Sequence, residues 1–145
     1  MGIESGSPRI LTMIHKVSDA SLIKTTIQRV LNAGINVKGY FIAGFPTETS
    51  QDLEMTLSLA KELKSISMFA SGEFRTSVFR FRPYHGTELF KSIYQNVTYV
   101  NPNEQDKIFS ERIGRSQFNV SSGNYSDIEE NSLEYFIYQI NLIQS

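Results

Sequence analysis

Apolar positions along the first 95 residues switch repeatedly between a strand-like and a helix-like period. Met1 to Glu4 reads as the end of a buried strand turning into a polar loop. Ser7 as N-cap, Pro8 at the first helical position, and Ile10, Leu11 and Ile14 then predict a short helix over about 8–14. A second helix is capped by Ser18 or Asp19, carries Leu22, Ile23, Ile27, Val30 and Leu31 on one face, and stops at Gly34. Residues 35–43 form too short an apolar run for a helix plus turn. They predict a strand mostly buried on both faces, as parallel strands are. Thr49 with Asp52 resembles a capping box, opening a helix over about 50–63 with Leu53, Leu57, Ala60 and Leu63 inward. Residues 75–82 alternate and predict a strand with at least one polar face. Thr87 caps a helix reaching about Tyr94. This order implies an α/β fold with parallel strands joined by crossovers.

The pattern changes after residue 95. Residues 96–124 are polar, with Phe109, Ile113 and Phe118 as scattered anchors, before a final helix bearing Leu133, Phe136, Ile137, Ile140 and Ile143 on its apolar side. The expected organisation is therefore residues 1–95 as one β/α domain and 96–145 as a loop-plus-helix extension. A strand that ends where the chain begins suggests part of a larger protein, with an edge strand and an apolar face left without cover.

Composition narrows the function classes. Fourteen basic and fifteen acidic residues give a net charge of −1, so no broad field favours nucleic acid. There is no apolar run long enough for a membrane span and no secretory pattern at the start, which makes a cytoplasmic location the expectation. Cysteine is absent, which removes disulfides, a thiol nucleophile and any iron–sulfur cluster held by this chain's own thiolates. His15 and His85 are too far apart in sequence to suggest a metal site.

Parallel β/α proteins place ligands at the carboxyl ends of their strands. Three such ends are visible, at Glu4-Ser5-Gly6-Ser7, at Ala43 to Glu48, and at Arg82 to Thr87. Glu4 can accept hydrogen bonds from a diol such as ribose, or can simply cap the helix with Ser7. Lys16 is either a point charge returning to the same rim or a solvated lysine. Gly44 permits close backbone approach to a flat ligand, or is a turn glycine, while Glu48 reads as a first-turn carboxylate on the helix dipole. Phe81, Pro83 and Tyr84 could pack on an aromatic base or form core. Arg75, Arg80 and Arg82 either grip an anion or pair with neighbours.

Taken in order, Gly2-Ile3-Glu4-Ser5-Gly6-Ser7-Pro8-Arg9, Lys16, Gly39 to Thr49, and Arg82-Pro83-Tyr84-His85-Gly86-Thr87-Glu88-Leu89 resemble the second half of a radical S-adenosylmethionine enzyme core. The closest likeness is to the cobalamin-binding branch of methyltransferases and anaerobic protoporphyrin ester cyclases. The resemblance implies a partial (β/α) barrel of six units, of which this chain supplies the last three plus a C-terminal helical tail. It also implies site roles. Glu4 would hold the ribose hydroxyls of S-adenosylmethionine with Ser5 beside it, and Lys16 would pair with the methionine carboxylate. Phe41, Ile42, Ala43 and Gly44 would line the adenine through backbone and apolar contact, and Phe81, Pro83 and Tyr84 would close the adenine side.

The parent enzyme would cleave the cofactor reductively to a 5′-deoxyadenosyl radical, for methyl transfer or cyclisation of a small-molecule substrate. It would use a four-iron four-sulfur cluster and, in that branch, cobalamin. The cluster ligands and the cobalamin domain would lie in a missing N-terminal half, since the C-x-x-x-C-x-x-C loop is absent. No catalytic or metal-binding residue is expected in this chain, which alone would be inactive. The alternative is a stand-alone nucleoside- or partner-binding α/β domain without catalysis.

Overall fold

A computed structural model describes residues 1–16, 19–84, 86–94 and 122–143. Ser18 and His85, the loop anchors Phe109, Ile113 and Phe118, and the stretch 95–121 lie outside the described residues. The chain forms two compact units, Met1–Phe81 with Asn124–Ser145, and Arg82–Gly123.

The first unit holds β1 (Gly2–Glu4), α1 (Pro8–Met13), α2 (Ala20–Asn32), β2 (Val37–Ala43), α3 (Ser50–Ser67) and β3 (Phe74–Arg80), together with a helix near the C-terminus. The sheet order is β1-β2-β3 and both pairings are parallel. The α/β class therefore holds. Among the described residues the architecture is a three-stranded parallel sheet with helices, without a barrel being shown.

Local chemistry sets the helix starts. Ser7, Asp19 and Thr49 cap α1, α2 and α3, each accepting from a backbone N–H in the first turn, and Thr49 with Asp52 forms the full capping box. The helix α3 runs to Ser67, four residues beyond its expected end, because no breaker precedes Gly72.

The core lies on one face of the sheet. Ile3, Val37, Phe41 and Phe74 pack there against Ile27 and Leu31 of α2, Leu59 and Leu63 of α3, and Ile140. Burying this set is the main favourable term in the unit's stability. Leu22, expected on the inner face of α2, is exposed because it sits off the Ile23-Ile27-Leu31 stripe that meets the sheet.

The opposite face corrects a second expectation. Burial alternates along β2, with Val37, Gly39, Phe41 and Ala43 inward and Lys38 and Tyr40 exposed, so the strand is not buried on both faces. The register places Lys38 beside Arg75, Tyr40 beside Ser77, and Ile42 beside Phe79. Phe79 is 54% exposed and stands 5.9 Å, ring to ring, from Tyr40. The ammonium of Lys38 lies 5.6 Å from the Tyr40 ring centroid.

The last helix, α5 (Glu130–Leu142), buries Leu133 and Ile140. It is tied to β3 by Thr76, whose hydroxyl donates to the Ile140 carbonyl at 2.8 Å, and by Arg80, which pairs with both Glu130 and Glu134. In the second unit, α4 (Glu88–Tyr94) begins at Thr87, whose hydroxyl accepts from the Phe90 N–H.

Candidate functional site

The carboxyl ends of β1 and β2 supply two turns of contrasting construction. In the first, Glu4 has φ 68, in the left-handed region that non-glycine residues rarely adopt. The Ser5 N–H donates to the Ile3 carbonyl at 3.0 Å across it, which makes a γ-turn of the rare positive-φ kind. The Glu4 carboxylate stays partly open to solvent and receives Lys16 Nζ at 3.1 Å, while the same ammonium donates to the Gly2 carbonyl. A Cβ at Gly2 would lie 2.4 Å from Glu4 Oε1, so a larger residue there would displace the carboxylate end from its present position. Lys16 therefore does return to the rim, one short helix after Glu4.

Ser5 sits beside Glu4 but is fully buried. Its hydroxyl meets Thr56 Oγ1 at 3.1 Å and accepts from the Ser7 N–H. It supports the turn and presents no surface to a ligand.

In the second turn Glu48 replaces its expected role. Instead of standing in the first turn of α3, it precedes the Thr49 cap and points inward, fully buried. Oε2 accepts from the Gly44 N–H at 2.6 Å and the Phe45 N–H at 3.2 Å, while Oε1 is buried with no hydrogen-bond partner. Burial pushes the carboxyl up to about 7, against the pull of the two amides. Gly44 and Thr47 complete the turn at φ 89 and φ 60. The residues just before α5 grip it from outside, with Tyr125 N–H on the Gly44 carbonyl and Asp127 N–H on the Glu48 carbonyl, both at 3.1 Å.

Asp52 joins the two turns. It accepts from the Ser7 hydroxyl at 2.5 Å, from the Thr49 N–H and hydroxyl, and from Arg9, which also reaches the Thr47 carbonyl. Burial alone would raise its pKa, but the hydrogen bonds from Arg9, Ser7 and Thr49 outweigh it and hold the carboxyl well below the usual carboxylate range.

The residues expected to line the adenine divide between the two faces of β2 and the turn that follows it. Phe41 and Ala43 direct their side chains into the core, because the strand's two-residue period turns them away from the face that Tyr40 and Ile42 share. Gly44 has its N–H on Glu48 and its carbonyl on Tyr125, and the Ala43 carbonyl receives the Phe81 N–H. Phe81 is 6% exposed, packed between Phe45 at 5.1 Å and Tyr125 at 5.5 Å. Pro83 is buried and Tyr84 exposed, both within the second unit. Together at the rim of the first unit stand Glu4 and Lys16, with Tyr40 and Ile42 along the open face. Tyr40, Glu48, Asp52, Thr56 and Tyr125 were not predicted as site residues. One signal was available: Asp52 and Thr56 fall on the same helical stripe as Leu59 and Leu63, where a polar residue must find a partner. The arginines pair with neighbours, Arg75 with Glu73 and Arg80 with α5, while Arg82 Nε donates to Ser122.

The chain has no cysteine to ligate an iron–sulfur cluster, and among the described residues no group of histidine and carboxylate side chains is gathered as for a metal. No helix among those residues is long and apolar enough to cross a membrane.

No protein-family model matches the chain. It is 31% identical over 121 residues to tRNA-2-methylthio-N(6)-dimethylallyladenosine synthases from Yersinia pestis (strain Pestoides F) and Yersinia pseudotuberculosis (serotype O:3, strain YPIII). The match takes in 82% of this chain and 24% of each relative, so the chain spans about a quarter of the length of these curated proteins. This homology supports the radical S-adenosylmethionine class, with its S-adenosylmethionine and four-iron four-sulfur cofactors. It gives no support to the cobalamin-binding branch or to cobalamin itself.

Proposed function

We propose that this chain supplies one wall of the S-adenosylmethionine site of a radical S-adenosylmethionine enzyme, with Glu4 as acceptor for the ribose diol and Lys16 as partner for the methionine carboxylate. The observation that carries this is the Glu4 turn: a carboxylate at a parallel strand's carboxyl end, in a rare backbone conformation and partly open to solvent. Lys16 already lies against Glu4, so its single positive charge balances that carboxylate and would be shared with a second one. Ile42 offers an apolar surface on the same side of the sheet. Bound S-adenosylmethionine would supply radical chemistry only with a reduced cluster, for which this chain has no thiolates. The remaining apparatus would come from the rest of a longer enzyme. The test is calorimetric titration of the chain with S-adenosylmethionine. Binding that weakens about tenfold or more in Glu4→Gln supports the reading, and equal binding by both proteins rejects it.

The open face suggests where a substrate would lie. In place of the expected methyl transfer or cyclisation, the relatives' name points to a 2-methylthio-modified adenosine in tRNA, and one feature here favours an RNA substrate over a small molecule. Tyr40, Phe79 and Lys38 form an exposed aromatic pair with a cation, the combination that stacks bases near phosphates. Loss of tRNA retention in Tyr40→Ala and Phe79→Ala supports this second reading, and unchanged retention returns the choice to a small molecule.

A further inference from the structure

Glu4 occupies a conformation that its own sequence does not favour, and such a turn persists only where surrounding contacts over-determine it. The contacts come from α3. Thr56 is buried, its hydroxyl donates to the Asp52 carbonyl at 3.0 Å, and its oxygen accepts from the Gly6 N–H at 2.9 Å. With the Thr56 proton committed to Asp52, the 3.1 Å contact with Ser5 has Ser5 as donor, and Ser5 Oγ in turn accepts from the Ser7 N–H at 3.1 Å. The result is one directed relay, from Ser7 through Ser5 and Thr56 to the α3 backbone. Gly6 makes it possible, because a Cβ at that position would meet the Met55 carbonyl oxygen at 2.5 Å.

We infer that Thr56 is a positioning residue, holding Ser5 and Gly6 against α3 so that Glu4 keeps its left-handed turn and aims its carboxylate at the rim. The inference rests on the reading of Glu4 as the ribose acceptor, and its test separates the two. Thr56→Val keeps the branched shape and removes the hydroxyl, Thr56→Ser keeps the hydroxyl, and Ser5→Ala breaks the relay from the loop side should Thr56→Val fail to fold. Residual dipolar couplings across Glu4 and Ser5 report the turn without any ligand. S-adenosylmethionine titration followed by NMR reports affinity.

Thr56→Val and Ser5→Ala are expected to lose the left-handed Glu4 geometry and to weaken binding about tenfold. Thr56→Ser is expected to retain both. Adding Thr56→Val to Glu4→Gln should cost no further affinity, since both changes remove the same contact. An unchanged Glu4 turn in Thr56→Val, or additive losses in the double variant, overturns the inference. Unchanged affinity in Glu4→Gln overturns the ribose reading alone, and the dipolar couplings still decide what Thr56 does.

Discussion

Two turns at neighbouring strand ends each carry a glutamate, and the environments assign them opposite tasks. At the end of β1, Glu4 turns its carboxylate outward and strains its backbone to do so, with α3 seating the residues behind it. At the end of β2, Glu48 turns inward, where one oxygen staples two amides and the other is buried unpaired. The outward carboxylate, paired with Lys16 and partly open to solvent, can meet a ligand, whereas the inward one fixes the shape of the loop. The contrast shows that a residue type at a strand end does not determine its role. Burial and partner count do.

The largest expected effect comes from Glu48. Its folded-state pKa is raised, so its contribution is fully present below the ordinary carboxyl value near 4.5 and is lost as pH rises through about 7. That shift corresponds to about 3 kcal/mol at 1.36 kcal/mol per pH unit. Urea unfolding between pH 5 and 9 should show this decline, and Glu48→Gln should flatten it. Asp52→Ala comes next, at about 2–3 kcal/mol, because it strips partners from Ser7, Thr49 and Arg9 and unlinks the turns. Arg9 is half-exposed and is rehydrated, which keeps the cost below that of a fully buried pair. Asp52's depressed pKa carries the opposite sign: its stabilisation holds above the ordinary carboxylate range and disappears as pH falls through the folded value. Gly6→Ala should cost about 1–2 kcal/mol by forcing the loop off α3, read as a lower melting temperature. The smallest effect reverses sign. Glu4→Gly should stabilise by about 0.5–1 kcal/mol by relieving the positive φ, while removing the carboxylate needed for binding. If Glu4→Gly destabilises, the turn is not strained and the contrast with Glu48 fails.

Much of the fold was legible because its signals are local. Ser7, Asp19 and Thr49 cap where their side chains say they should, and the alternation of periods gives the parallel order of strands. The covered face of β2 was not legible. Tyr40, Phe41 and Ile42 are all apolar or aromatic, so no alternation marks which of them meets the helices. The inward turn of Glu48 was hidden for a related reason, since a glutamate just before a helix looks like a dipole partner until the loop folds back on it. Lys16 lies against Glu4, one of the two positions its spacing left open, whereas the strand's period turns the side chains of Phe41 and Ala43 into the core.

The most direct test is to titrate isotope-labelled chain with S-adenosylmethionine and map the amide and side-chain shifts. The expected result is perturbation concentrated at Glu4, Lys16, Tyr40 and Ile42, with Leu31, Phe74 and Leu63 on the covered face unmoved. Perturbation centred on the covered face, or none at Glu4 and Lys16, would contradict the assignment of the β1 turn as a cofactor wall.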